Sequence, residues 1–326
     1  MLFFMMMLLG TLLSISSYNW FSLWIGLEVN LLSIIPLFKN EANKLPTEAM
    51  IKYFITQAIA STFIIFSMIT LMSVTELPFL SESLILMMNS ALFTKLGAAP
   101  FHFWFPEVSE GLSWWSNFML MTWQKIAPSV ILMYNINTFM FTIVILMSTI
   151  TGGILGVNQT SLRKLLTYSS ISHISWMLAS MLFFKMIWWN YFIIYTFMTL
   201  SIIFMMEFFK IYHLSQITFM VSNEKLIKLI FMLNFFSMGG LPPFIGFYPK
   251  WLTLNLLIFN QFYFLSLIMV ICTMMTLYFY LRITFSTLML NYDESIKNFK
   301  TKNKNIVFNS FLLLSLPISM NLFNFM

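Results

Sequence analysis

Long apolar runs alternate with short polar breaks along the whole chain, and the runs are long enough to cross a bilayer as helices. Their pattern predicts about eleven spans, at roughly 2–17, 20–38, 49–74, 82–105, 114–134, 138–157, 165–184, 187–210, 227–259, 262–290 and 306–325. The ninth is too long for one straight crossing. Its GGLPP segment (239–243) allows a discontinuous helix whose freed backbone groups are satisfied by neighbouring helices or water. The N-terminal run, MLFFMMMLLG, has no basic n-region and leads directly into further spans. It is expected to be the first transmembrane helix rather than a cleaved signal or transit peptide. The fold expected is an all-α polytopic membrane protein.

Charge placement supports this count. With eleven spans, the loops on the N-terminal side carry Lys39, Lys44, Lys52, Arg163, Lys164, Lys210, Lys225, Lys228, Lys297, Lys300, Lys302 and Lys304, whereas the opposite face carries Lys185. By the positive-inside rule the N-terminus lies in the cytoplasm or matrix and the C-terminus outside.

Two segments, GAAPFHFWFPE (97–107) and GLPPFIGFYPK (240–250), repeat one another 143 residues apart. Gly97 matches Gly240, Pro100 matches Pro243, Phe101 matches Phe244 and Pro106 matches Pro249. Glycine and proline weaken a helix, and proline also removes a backbone donor. Both spans are therefore expected to be broken. The copies fall in spans four and nine, an odd number of crossings apart, so they run in opposite directions through the membrane. This predicts two inverted five-helix repeats, residues 1–134 and 135–290, followed by a loop and a last helix in 291–326. Paired breaks of this kind mark ion or substrate pathways.

Composition narrows the function further. The chain is 60% apolar and 9% charged, with a mean hydropathy of +0.85, far from the ordinary soluble range. Its net charge of +6 sits mostly in short loops, so it marks topology rather than nucleic-acid binding. Cys272 is the single cysteine, which rules out an internal disulfide and a cysteine-ligated iron–sulfur cluster on this chain. There is no dinucleotide fingerprint, no Walker loop, no metal-ligand spacing and no nucleophile triad.

Four ionisable residues fall within the hydrocarbon zone: Glu28, Lys95, Lys125 and Lys250. Each costs roughly 2.5–3.5 kcal/mol at a helix centre, so four unpaired would cost on the order of 10 kcal/mol. They are expected to face the bundle interior, paired or hydrated. Lys250 can alternatively snorkel to the interface; Glu28 is too short for that and Lys125 too central. Desolvation favours the neutral form of a lysine and pairing favours the charged form, so a lysine exchanging a carboxylate partner for water can take up and release a proton. His173, in YSSISHISW (168–176), reads either as a packed polar residue bonded to a nearby serine or as a relay group titrating near neutrality.

GLEVN (26–30), TKLGAAPFHFWFPEV (94–108), TWQKIAPS (122–129), NQTSLRKLLTYSSISHISWM (158–177) and GGLPPFIGFYPKW (239–251) together resemble the antiporter-like membrane subunits of respiratory complex I. The family usually has three further N-terminal helices, and the expected eleven spans match its short animal form. The resemblance implies a multi-pass protein of the mitochondrial inner membrane, N-terminus in the matrix and C-terminus in the intermembrane space. It implies that other membrane-arm subunits are obligatory partners. NADH, FMN, iron–sulfur clusters and ubiquinone would serve the assembled complex, with no cofactor on this chain. By matching position, Glu28 pairs with Lys95 on the first broken helix, Lys125 is the central lysine, Lys250 lies on the second broken helix, and His173 lies along the hydrated axis. A self-standing cation/proton antiporter and a membrane scaffold without an ion path are the alternatives.

Overall fold

The computed structural model describes the backbone of residues 1–38, 45–73, 78–220 and 225–288. The expected eleventh span, the 291–326 segment and the lysines at 39, 44, 297, 300, 302 and 304 lie outside the described residues. All regular elements among those described are helices, in two compact units, residues 1–148 and 149–326.

The first unit holds α1 (Leu2–Ser16), α2 (Trp20–Phe38), α3 (Leu45–Ser73), α4 (Pro78–Leu96), α5 (Trp104–Gly111), α6 (Trp114–Met121), α7 (Trp123–Leu132) and the start of α8 (Thr138–Val157). The second holds the end of α8, α9 (Leu162–Met181), α10 (Lys185–Phe209), α11 (Leu214–Met220), α12 (Lys225–Gly239), α13 (Phe247–Phe259) and α14 (Tyr263–Leu288). Among the described residues, five helices, α2, α3, α8, α10 and α14, are long and apolar enough to cross a membrane; α1 and the 229–239 part of α12 are shorter apolar helices.

Both units expose many large apolar side chains and bury polar ones among their apolar cores, unlike a soluble protein. On α3, Ile55, Ile59, Phe63, Phe66 and Ile69 are exposed on successive turns, and on α14 so are Leu267, Ile271, Met274 and Tyr278. Asn30, Gln57, Asn89, Asn117 and Gln124 are buried in the first unit, Asn234 and Thr253 in the second. Exposed apolar surface on this scale needs a nonaqueous surround, and polar groups lacking water turn inward. Helix α9 carries this furthest. Every residue from Ser169 to Met181 is buried, and Ser169, Ser170, Ser172, Ser175 and Ser180 each donate to the carbonyl three residues back. These local bonds satisfy the hydroxyls and let a serine-rich helix occupy an interior.

The two breaks stop their helices in the same way, although the Ala99–Pro100 peptide is cis and its counterpart Pro242–Pro243 is not. Gly97 (φ +74°) and Gly240 (φ +75°) adopt the left-handed conformation that other residues rarely take. Gly97 N donates to the Phe93 and Thr94 carbonyls, and Ala98 N returns to Phe93 O; Gly240 N donates to the Phe236 and Ser237 carbonyls, and Leu241 N returns to Phe236 O. Phe101 N to Ala98 O and Phe244 N to Leu241 O close the next turn. Each is a Schellman stop, after which helix resumes at Trp104 or Phe247. Every partner in one copy lies 143 positions from its counterpart in the other.

Two features depart from the periodicity reading. The stretch 114–134, expected as one helix, is interrupted at Thr122 (φ −114°, ψ −70°). The Thr122 hydroxyl and amide both donate to the Phe118 carbonyl, and Pro128 withholds the amide that Gln124 O would accept one turn later. A short helix, α11, also occupies a stretch expected as loop, anchored by Leu162 N to Tyr212 O and Leu214 N to Thr160 O.

Candidate functional site

In the first unit, Lys95 stands in the last turn of α4, two residues before the left-handed Gly97. A cation there complements the negative end of the helix dipole. The residue is buried, with Asn30, Tyr53, Gln57 and Gln124 around a cavity of about 10 Å³ that also reaches it. That is room for roughly one water with several polar partners. Around it, Gln124 Nε2 donates to Asn30 Oδ1 at 3.0 Å and Tyr53 OH donates to Gln124 Oε1 at 3.3 Å. Gln124 therefore holds both neighbours through one amide, which also fixes the orientation of that amide.

Glu28, on α2, acts on Lys95 electrostatically but makes no direct ion pair with it. Its Oε1 is buried without a hydrogen-bond partner. The pairing implied by the resemblance is thus a through-space one in this structure. Lys125, on α7, is 3% exposed, and its Nζ stands 5.5 Å from the centre of the Phe105 ring. Phe105 is the second residue of α5, just after the first break, so the break positions the aromatic face that meets the lysine. His102 is buried inside the broken segment and stacks on Phe103 at 4.5 Å. Glu107 bonds Lys52 at 2.8 Å with both side chains half exposed, a surface pair of little energetic weight.

In the second unit, Lys250 is buried near the start of α13, and its Nζ donates to Gly239 O at 2.9 Å. The sequence offers no obvious carboxylate for this lysine; its partner is a carbonyl at the C-terminal end of α12, exposed by the break itself. An ammonium at the N-terminal end of its own helix is disfavoured by the dipole, and reaching back to the end of α12 reverses that sign. His173 Nδ1 lies 2.8 Å from Tyr191 OH, and its ring packs against Tyr195 at 5.2 Å. Tyr191, from α10, is thus one hydrogen-bond partner of the ring.

Several residues escaped the sequence reading. Tyr191 and Tyr195, one turn apart on α10, and Tyr280 on α14 form a fully buried cluster around His173. Their four-residue spacing was the available signal. Arg282, within the predicted tenth span, donates through both terminal nitrogens to Val157 O at 2.6 Å and Gln159 O at 2.8 Å, closing the end of α8. Gln124 and Tyr53 gave no signal, because an isolated polar residue in an apolar run has no period.

The polar network around Lys95 should respond to Gln124→Leu. Asn30 and Tyr53 would each lose a buried partner, and a loss of about 1–3 kcal/mol is expected. A lowered melting temperature of the purified assembly checks this, and an unchanged one would mean that water replaces the amide at no cost.

No group of three or more His, Cys, Asp or Glu that could hold a metal ion occurs among the described residues. The profile of the NADH:quinone oxidoreductase/Mrp antiporter transmembrane family matches residues 17–276. NADH-ubiquinone oxidoreductase chain 2 of Anopheles gambiae is 46% identical over 313 residues, covering 94% of this chain and 92% of that protein. The chain 2 of Locusta migratoria is 43% identical, covering 90% and 87%. A chain of respiratory complex I from Thermus thermophilus shares the fold with a TM-score of 0.85 at 21% identity, over 97% of this chain and 77% of that one. A chain of the Mrp complex from Dietzia sp. superposes with a TM-score of 0.75 at 16% identity, over 86% and 59%. A polar-cored helical bundle with two matched breaks, aligned over most of its length with these proteins, belongs to the NADH:quinone oxidoreductase/Mrp antiporter transmembrane family and, within it, to the NADH-ubiquinone oxidoreductase chain 2 group.

Proposed function

We propose that this chain is a core membrane-arm subunit of respiratory complex I in the mitochondrial inner membrane, and that it contributes a proton-translocation pathway. Electron transfer from NADH to ubiquinone falls to other subunits. The observation that carries the proton reading is the burial of Lys95, Lys125 and Lys250 in a bundle whose apolar residues face outward. Charges in such places are expensive and mark ion paths.

In this reading, the matched hydrogen bonds at 97 and 240 support two inverted repeats, 1–134 and 135–290, within about eleven spans, N-terminus in the matrix and C-terminus in the intermembrane space. Lys95 and Lys250 occupy different positions relative to their glycines, yet both belong to the C-terminal end of a half-helix, Lys95 by its place in α4 and Lys250 by reaching back to α12. Lys95 holds a proton beside the water-sized cavity, and Glu28 on α2 is the acidic residue that acts on it through space. Lys125 carries a proton against the Phe105 face, and His173, oriented by Tyr191, serves the second unit. The alternative reading is a cation/proton antiporter that works alone.

The test uses the whole assembly. The chain should comigrate on a native gel with NADH dehydrogenase activity, and Lys95→Met in assembled complex should lower the number of protons translocated per NADH oxidised. Cation/proton exchange by the isolated chain in liposomes would favour the antiporter. An unaltered proton ratio in assembled Lys95→Met complex would remove Lys95 from the path.

A further inference from the structure

The two break glycines share a backbone conformation but face different surroundings. The three atoms nearest to a Cβ placed on Gly97 all belong to the Phe105 side chain, at 3.1–3.3 Å. A Cβ on Gly240 would lie 2.9 Å from Lys250 Nζ, 2.9 Å from its Cδ and 3.2 Å from its Cε. The two 2.9 Å distances are too short for real contacts, and the atoms are the far end of a flexible side chain. The backbone can therefore stay while the amine leaves. The amine would leave the position from which it donates to Gly239 O at 2.9 Å.

We propose that Gly240 is a positioning residue for Lys250: the space left by its missing side chain is the seat in which the Lys250 ammonium docks onto the end of α12. The same glycine does two things. Its left-handed φ ends α12 and exposes the Gly239 carbonyl, and its bare Cα admits the amine that caps that carbonyl. A side chain of any kind at 240 fills the seat. The first break has no such seat, because the residue there that corresponds to Lys250 is Glu107, which is turned to the surface and bonded to Lys52. The inference rests on the reading of Lys250 as a proton carrier, and the test separates the two.

Gly240→Asn is the variant of choice, because asparagine tolerates the left-handed conformation better than alanine and so adds a side chain with little backbone strain. Complex I carrying Gly240→Asn, Lys250→Met, or both is purified and reconstituted in liposomes, and protons translocated per NADH oxidised are measured. The expected result is that each single variant lowers the ratio to a common value and the double variant goes no lower, since residues acting through one another are not additive. A wild-type ratio for Gly240→Asn beside a lowered one for Lys250→Met overturns the seat and leaves Lys250 in the path. Independent losses that compound in the double variant overturn it too. So does a Gly240→Asn chain that fails to assemble where Lys250→Met assembles, because the role of Gly240 is then the backbone's alone. A wild-type ratio for Lys250→Met removes the proton-carrier reading of that lysine, and the seat with it.

Discussion

Lys125→Met should leave complex I assembled and sharply reduce proton translocation through this subunit. Methionine keeps an unbranched stem of similar length and fills irregular interior space well. It also removes a charge that costs roughly 2.5–3.5 kcal/mol to hold at a helix centre, so folding should not suffer. What disappears is the one group on α7 able to hold and pass a proton against the Phe105 ring. Losing a positioned acid–base group slows proton transfer by about 10²–10⁴-fold, which in steady turnover lowers the ratio of protons moved to NADH oxidised. Reconstituted enzyme with a pH-sensitive dye inside the liposomes measures that ratio. Full assembly with an unaltered ratio would leave Lys125 as a packing residue between α5 and α7.

Arg282→Ala should act in the opposite sense, on stability before function. The guanidinium makes two bonds to carbonyls at the end of α8, at 2.6 and 2.8 Å. Bonds to a charged group contribute about 1.5–3 kcal/mol each, so the substitution is expected to cost about 3–5 kcal/mol and to deplete the assembled complex. Arg282→Lys should recover less than half, because an ammonium cannot span two carbonyls as a planar fork does. The melting temperature of purified complex and its abundance on a native gel report both effects. Wild-type values for Arg282→Ala would reduce the fork to a surface contact.

Much of the architecture was legible in the residues because it depends on local rules. The bounds read for 20–38 and 138–157 coincide with α2 and α8, since an apolar run flanked by polar residues ends where the helix leaves its surround. The breaks at Gly97 and Gly240 were legible because a left-handed stop needs glycine whatever the rest of the chain does. The interruption at Thr122 was not, since threonine breaks a helix only when its hydroxyl and a proline one turn on act together. Arg282 was passed over as one more basic residue in an apolar run, and only α8 lying alongside gives it two carbonyls to bind.

For the site, residue type alone led to the expectation that Glu28, Lys95 and Lys125 face the interior, with snorkelling the alternative for Lys250, because a charge facing lipid is costly. The three lysines are buried and Glu28 is half-buried. Tertiary structure decided what each one meets. Glu28 reaches Lys95 through space rather than in contact, and Gln124 ties Asn30 to Tyr53 beside it. His173 meets Tyr191 of α10. Lys250, which has no carboxylate partner among the described residues, finds a carbonyl eleven residues back that exists as an acceptor only because α12 stops there. Burial is a property of one side chain and its solvent, so the sequence determines it. A partner is a property of two chain segments brought within 3 Å of each other, and only the folded chain brings them there.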